Sequence, residues 1–270
     1  MTIVSAFLVT GSPLHFLRPD NPPWKTVIDG FDRASRALAM SRPDALLIYS
    51  TQWMAVLDAL WQTRARVSGV HVDENWHEFG ELPFDMTVDT ALANACVQAT
   101  KAAGITAKGV DYDQFPIDSG TIVATRLLDP EGRIPLVMAA NNLYHNTATT
   151  ERIGALAAAA ARSQNKKVAV IGVGGLSGTV FREQIDIQQD RIADQNDDRW
   201  NREILRLMEK GDFPQLDAKG LIYAQEARVD MGFKHYSWIK GAIGRRFFGA
   251  RVHGYGPAYG AGAAVVEFRL

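Results

Sequence analysis

The run KVAVIGVGGLSG, residues 167–178, decides how the chain folds. Its first half is apolar and rich in β-branched residues, which is typical of a strand buried on both faces, and its second half is a glycine-rich turn. Strands buried on both faces belong mainly to parallel sheets covered by helices. The run therefore predicts an α/β protein built on a central sheet.

Segments on both sides of this run alternate in the same way between short apolar stretches and stretches of helical period. The predicted strands are residues 3–9, 45–50, 67–72, 105–110, 134–139, 167–171, 251–255 and 263–268, and the predicted helices are residues 24–40, 87–103, 149–164, 197–210 and 238–243. No Ser/Pro/Gly linker or composition break divides them. We therefore expect residues 1–270 to form a single domain with a mostly parallel mixed sheet flanked by helices.

The composition excludes several classes of protein. With 47% hydrophobic and 22% charged residues, the chain has the composition of a folded protein rather than a disordered one. Its net charge of -1 gives no overall positive electrostatic potential that would attract nucleic acid or anionic membranes. Arg245 and Arg246 are accordingly interpreted as an exposed helix end rather than a nucleic-acid patch. A single cysteine, Cys96, cannot form an internal disulfide, and no signal peptide or membrane span is recognisable. A cytoplasmic protein is expected.

Local motifs do not complete a catalytic site by themselves. Gly172 and Gly174 match the first two glycines of a dinucleotide-binding turn, but Ser177 stands at the third position. An independent α/β enzyme that binds a nucleotide or another small molecule at the turn from Gly172 to Gly178 is therefore kept as an alternative function. The six histidines contain no metal-binding pair, and Cys96 is expected to be buried within a helix.

Four segments taken together resemble the class III extradiol ring-cleavage dioxygenases. They are residues 7–17, IYSTQW at 48–53, GVGGLSG at 172–178, and QEARVDMGFKHYSWIKGA at 225–242. Their order and spacing extend the resemblance over almost the whole chain. Active members of this family open aromatic rings with O2 at a non-haem Fe(II) held by two histidines and one carboxylate, a ligand set that suits ferrous iron.

The chain departs from the family pattern at the positions that carry this chemistry. By the resemblance, Gly11 and Gln52 stand where active members have the two histidine ligands, and Asp230 stands at the carboxylate position. Gly178 replaces the histidine that acts as acid and base. The resemblance therefore implies that this chain contains neither catalytic residues nor a metal site.

Residues next to these positions are expected to line a relict pocket. They are Ser12, His15, Thr51, Trp53 and Ser177. Aromatic segments at 53–61, 76–84 and 247–259 are candidates for contact with a partner.

Within the family, the chain resembles in particular the α subunit of two-subunit members that cleave 2-aminophenol-type rings. This implies a structural or regulatory subunit, with Fe(II) on a paralogous catalytic β subunit, in an α2β2 heterotetramer without nucleic-acid or membrane partners. Besides the nucleotide-binding alternative, an active dioxygenase with rearranged ligands, such as His15 moved towards the Gly11 position, stays open.

Overall fold

The computed structural model describes residues 2–178, 184–244 and 247–270. These residues include ten strands and eight α-helices. Arg245 and Arg246 lie outside them. The strands are β1 (Ile3–Val9), β2 (Ala45–Ala55), β3 (Ala59–Gln62), β4 (Arg66–His71), β5 (Leu82–Thr87), β6 (Ala107–Val110), β7 (Leu136–Asn142), β8 (Val168–Val173), β9 (Ala250–Ala258) and β10 (Ala261–Phe268). The helices are α1 (Leu14–Leu17), α2 (Lys25–Ser41), α3 (Thr90–Ala102), α4 (Ser119–Leu128), α5 (Thr147–Ser163), α6 (Gln195–Lys210), α7 (Phe213–Glu226) and α8 (Lys234–Ile243).

Eight of the strands form one sheet in the order β6-β3-β7-β2-β8-β1-β10-β9. The four central strands β7, β2, β8 and β1 are parallel, whereas β3 pairs antiparallel with β7, and β10 pairs antiparallel with β1 and β9. Every residue of β7 and β8 is buried, as expected of strands covered on both faces. The predicted α/β fold with a mostly parallel mixed sheet is confirmed.

The sequence predictions differ from the structure in several elements. The strand predicted at 67–72 corresponds to β4, which pairs with β5 in a separate two-stranded sheet rather than joining the large one. The sequence analysis did not predict β3, β5, α4 or α7. β3 has only four residues, and α4 reads SGTIVATRLL, in which β-branched residues weaken the helical signal.

The carboxyl ends of β1, β2 and β8 meet at one edge of the large sheet because these strands are parallel neighbours. β2 stops pairing with β8 at Ser50, and its register against β7 shifts between Ser50 and Met54. Residues 51–53 therefore leave the regular ladder at this edge. Helix α4 begins beside them, with Asp118 as its N-cap. Among the described residues, no helix is both long enough and apolar enough to cross a bilayer.

Candidate functional site

A cavity of about 1000 Å³ lies at the carboxyl edge of the sheet, and we call it the carboxyl-edge cavity. Such edges are where open α/β sheets usually bind ligands. Seven of the residues singled out from the sequence line it: Gly11, Ser12, Thr51, Gln52, Ser177, Gly178 and Asp230. The structure thus brings together residues that lie more than two hundred positions apart in the chain.

Two residues expected in the pocket lie elsewhere. His15, on α1, is fully buried with its ring 5.8 Å from that of Trp24, and burial lowers its pKa to about 4. Trp53 packs edge-on against Phe115 and is also buried. His15 is therefore a neutral core side chain, and in this structure it does not reach the position beside Gly11.

The side chain of Gln52 is hydrogen-bonded at both ends of its amide. Its nitrogen donates to the carbonyl oxygen of Gly11 at 3.3 Å, and its oxygen accepts from the hydroxyl of Ser119 at 2.7 Å. These two bonds connect the loop after β1, the end of β2 and the first turn of α4. We call this arrangement the Gln52 clamp.

A second connection between β2 and α4 supports the Gln52 clamp. The hydroxyl of Ser50 donates to Asp118 at 2.6 Å, and the same carboxylate oxygen accepts from the backbone nitrogen of Thr121 as the helix N-cap. An N-cap carboxylate satisfies a backbone N–H that has no partner within the helix. The start of α4 is thereby fixed against the strand end that carries Gln52.

No side chain fits at position 11 without movement of its surroundings. A Cβ atom on Gly11 would lie 2.8 Å from the Cα of Gly120 and 2.8 Å from a methyl carbon of Val173. A Cβ atom on Gly120 would in turn lie 2.8 Å from the amide oxygen of Gln52. A side chain at either glycine would therefore collide with its neighbours, and at Gly120 it would collide with Gln52.

Asp230 follows α7 and points towards the strand ends. One of its carboxylate oxygens accepts hydrogen bonds from the Thr51 hydroxyl at 2.6 Å and from the Gly175 nitrogen at 3.0 Å. Burial raises the pKa of Asp230, and these two hydrogen bonds oppose the rise because they stabilise the charged form. Asp230 thus connects the ends of β2 and β8 at the wall of the cavity.

The turn after β8 is held by hydrogen bonds that involve Ser177. Its hydroxyl oxygen accepts from the Asn201 side chain and from the Gly262 nitrogen, each at 3.0 Å. At Gly178 a Cβ atom would lie 2.7 Å from the carbonyl oxygen of Arg228. A side chain at position 178 would therefore collide with backbone atoms, as it would at position 11. Glycine itself has no group that could transfer a proton.

The two glycines that resemble a dinucleotide motif make room for α8. A Cβ atom on Gly172 would lie 2.4 Å from the carbonyl oxygen of His235, and one on Gly174 would lie 2.7 Å from the ring of His235. Dinucleotide sites also place a helix N-terminus at the turn. Within the described residues, no α-helix begins between the turn and Gln195. Close packing therefore accounts for both glycines.

His235 is a residue of this region that the sequence did not single out. It is fully buried between β8 and the ring of Phe233, and burial lowers its pKa to about 3. Neither ring nitrogen has a hydrogen-bond partner among the described residues. His235 does not line the carboxyl-edge cavity and belongs to the buried core. Its only sequence signal is its position inside the segment at 225–242.

Comparison with known proteins identifies the family. The family described as the catalytic LigB subunit of aromatic ring-opening dioxygenases matches residues 6–267. The chain belongs to the LigB family. It is 53% identical to the 2-aminophenol 1,6-dioxygenase alpha subunit of a Pseudomonas species over the full length of both chains.

Two further proteins extend this picture of the LigB chain. It is 24% identical to the 2-aminophenol 1,6-dioxygenase beta subunit of a Pseudomonas species, over 99% of this chain and 94% of that one. The crystal structure of an uncharacterised protein from Escherichia coli K12 superimposes with a TM-score of 0.68 at 13% identity, covering 98% of this chain and 99% of that one. This last similarity supports the fold alone.

LigB extradiol dioxygenases generally use Fe(II), and the residues of this LigB chain do not fit that ion. Ferrous iron in such sites takes two imidazoles and a carboxylate and keeps coordination positions open. At the positions that match the family's metal ligands, the chain offers only the carboxylate of Asp230, because Gly11 has no side chain and the amide of Gln52 is already hydrogen-bonded at both ends. Among the described residues, no three His, Cys, Asp or Glu side chains are grouped so that they could hold a metal.

Proposed function

We propose that this chain is the non-catalytic α-type subunit of a heteromeric extradiol dioxygenase that opens 2-aminophenol-type rings with O2. Fe(II) and the reaction belong, in this proposal, to a paralogous β-type subunit. The Gln52 clamp is the observation that supports this proposal. The side chain at a family ligand position is already hydrogen-bonded to Gly11 and Ser119.

The remaining family positions support the same proposal. Of the three positions that match the family's ligands, only Asp230 carries a carboxylate and neither Gly11 nor Gln52 carries an imidazole, and one anionic ligand holds ferrous iron weakly against water. Gly178 lacks a group for acid–base catalysis, a contribution typically of about 10² to 10⁴ in rate. We therefore assign no step of ring cleavage to residues of this chain.

The relatives favour a partner with the same fold. Proteins named alpha and beta subunits of one dioxygenase both align with nearly all of this chain, so the two kinds of subunit share one architecture. We propose an α2β2 assembly in which residues 1–270 act as a single unit. We also propose a cytoplasmic location, which suits a chain whose one cysteine, Cys96, is buried and free.

Co-expression with the cognate β-type subunit tests the proposal. The two chains should purify as one complex, and the turnover of 2-aminophenol should be much lower for the β-type subunit alone. Asp230→Asn and Ser12→Ala in this chain should leave the turnover of the complex unchanged, because neither side chain would touch substrate. A complex that loses ring cleavage with either variant, while still assembling, would show that the cavity of this chain takes part in catalysis.

A further inference from the structure

Residues 72–81, which connect β4 to β5, form part of the wall of the carboxyl-edge cavity, and we call them the flap. Four of them line the cavity: Asp73, Glu74, Asn75 and Trp76. The tip of the β9–β10 hairpin also lines it, through Ala258, Tyr259 and Ala261. The flap extends from the separate two-stranded sheet, so the ladder of the large sheet does not hold it in place.

The hydrogen bonds of the flap are almost all internal. The backbone nitrogens of Trp76, Phe79 and Gly80 each donate to a carbonyl oxygen three residues earlier, at 2.9 to 3.3 Å. Among the described residues, one hydrogen bond joins the flap to the body of the chain, from the guanidinium of Arg18 to the carbonyl oxygen of Phe79 at 2.8 Å. A segment with so few bonds to its surroundings can open locally at a small cost in free energy.

Ring contacts supply the other connection between the flap and the body of the chain. The ring of Trp76 lies 4.6 Å from that of Tyr259 at an interplanar angle of 65°, which is a favourable edge-to-face geometry. Trp76 also stacks on Phe79 within the flap, and the Arg18 guanidinium lies 4.7 Å from the centre of the Phe79 ring. The contact between Trp76 and Tyr259 therefore joins the flap to the β9–β10 hairpin.

Tyr259 is the fixed side of this contact. Its φ of +53° is unfavourable for a residue with a side chain, and such conformations persist where the surroundings enforce them. The carboxylate of Asp190 accepts from the backbone nitrogens of Tyr259 at 2.6 Å and Gly260 at 2.8 Å. The same carboxylate accepts from the indole nitrogen of Trp24, which is fully buried. The hairpin tip is thus tied to the core, whereas the flap is not.

Gly80 provides a hinge near the end of the flap. Its φ of +131° is a conformation that residues with a side chain rarely adopt. An added Cβ atom would have only an ordinary contact, 3.7 Å from a methyl carbon of Leu17. Backbone conformation rather than lack of space therefore accounts for this glycine, in contrast to the glycines that line the cavity. Hinges of moving loops are commonly residues that absorb such backbone changes.

We infer that the flap controls access to the carboxyl-edge cavity and that the contact between Trp76 and Tyr259 holds it closed. Opening separates these two rings and turns residues 72–79 about Gly80, while the hairpin tip stays in place. The cavity, at about 1000 Å³, has the size of a small-molecule pocket, so the flap decides how readily small molecules enter. This inference concerns the chain by itself and does not depend on the proposed function.

Thiol labelling inside the cavity tests the inference in the full chain. Ser12→Cys places a thiol on the cavity wall, and the one native cysteine, Cys96, is buried with a raised pKa and reacts slowly. N-ethylmaleimide, a small neutral reagent, should label this variant about three- to tenfold faster when Trp76→Ala is added, because the loss of one aromatic pair increases the open population. His77→Ala is the matched control, since His77 lies in the same flap, is exposed and bonds only to Glu74. It should leave the rate unchanged.

A second thiol position and hydrogen exchange make the result decisive. Ser163→Cys, exposed at the end of α5, should be labelled at one rate with and without Trp76→Ala. Amide exchange of residues 76–80 should rise in Trp76→Ala, while that of β8 stays slow, which shows that the fold is kept. Equal labelling of Ser12→Cys with and without Trp76→Ala would overturn the inference. Equal acceleration at positions 12 and 163 would also overturn it, because the variant would then loosen the whole chain.

Discussion

The hydroxyl of Ser119 lies 2.7 Å from the side-chain oxygen of Gln52 and ties the first turn of α4 to the end of β2. The other end of the same amide is bound to the carbonyl of Gly11, after β1. Three segments that are distant in sequence are thus held by one neutral side chain. The Gln52 clamp therefore links the loop after β1, the end of β2 and the start of α4 by hydrogen bonds alone.

Ser119→Ala is expected to destabilise the chain. It removes the donor to Gln52 and leaves the amide oxygen without that partner in a half-buried position, which lowers the free energy of unfolding by about 1 to 2 kcal/mol. Urea denaturation of the folded chain measures this. Ser68→Ala, at an exposed position of β4, is the control and should change stability little. Equal stability of the two variants would show that the clamp does not contribute.

Introducing histidine at positions 11 and 52, which the resemblance aligns with the family's ligands, is not expected to create a metal site. In Gly11→His combined with Gln52→His, the new Cβ at position 11 would lie 2.8 Å from the Cα of Gly120, so α4 would have to move. We expect the double variant to be less stable than Gln52→His alone and to bind no stoichiometric Fe(II) in anaerobic equilibrium dialysis. A double variant that is as stable as the single one and retains about one iron per chain would contradict this account.

Gly178→Ala and Gly220→Ala should have opposite effects on stability. A Cβ at position 178 would lie 2.7 Å from the carbonyl oxygen of Arg228, and such overpacking typically lowers stability by about 1 to 3 kcal/mol. Gly220, within α7, has nothing within 4 Å of the added carbon, so alanine there should raise stability by about 0.5 to 1 kcal/mol. Denaturant midpoints of the two variants measure the difference, and a loss of stability only at position 220 would be inconsistent with the packing described.

The stability of the chain should decrease as the pH falls below about 6.5, the ordinary pKa of histidine. Burial lowers the pKa of His15 to about 4 and that of His235 to about 3, so the unfolded chain binds more protons than the folded one in this range. Each histidine then removes up to about 1.4 kcal/mol of stability per pH unit. Urea midpoints at about pH 7.5 and 5.5 should differ, and His235→Leu should reduce the difference. An unchanged pH dependence in that variant would show that His235 is not the cause.

The sequence predicted the elements whose signals are strong and local. β8 is a continuous apolar run, and α5 is rich in alanine, so both were found near their observed limits. Helix α4 was missed because Thr121, Ile122 and Val123 weaken its helical pattern. As a result Ser119, the partner of Gln52, could not be foreseen.

The resemblance to the family points to Gly11, Gln52, Gly178 and Asp230, but it does not show what surrounds them. Whether a glycine leaves open space or is closed by backbone depends on segments far away in the chain, such as Gly120 against Gly11. The burial of His15 could not be predicted for the same reason, because it depends on how α1 packs against Trp24. The resemblance therefore pointed to the candidate site, and only the packed structure showed that positions 11 and 178 have no room for a side chain.

The iron content of the separated subunits tests the central claim most directly. This chain and its cognate β-type subunit would each be purified without oxygen, supplied with Fe(II), freed of unbound metal and assayed for iron and for oxygen uptake with 2-aminophenol. The account predicts background iron and no oxygen uptake for this chain alone, with iron and ring cleavage accompanying the β-type subunit and the complex. About one iron per molecule of this chain, together with ring cleavage in the absence of the β-type subunit, would contradict it.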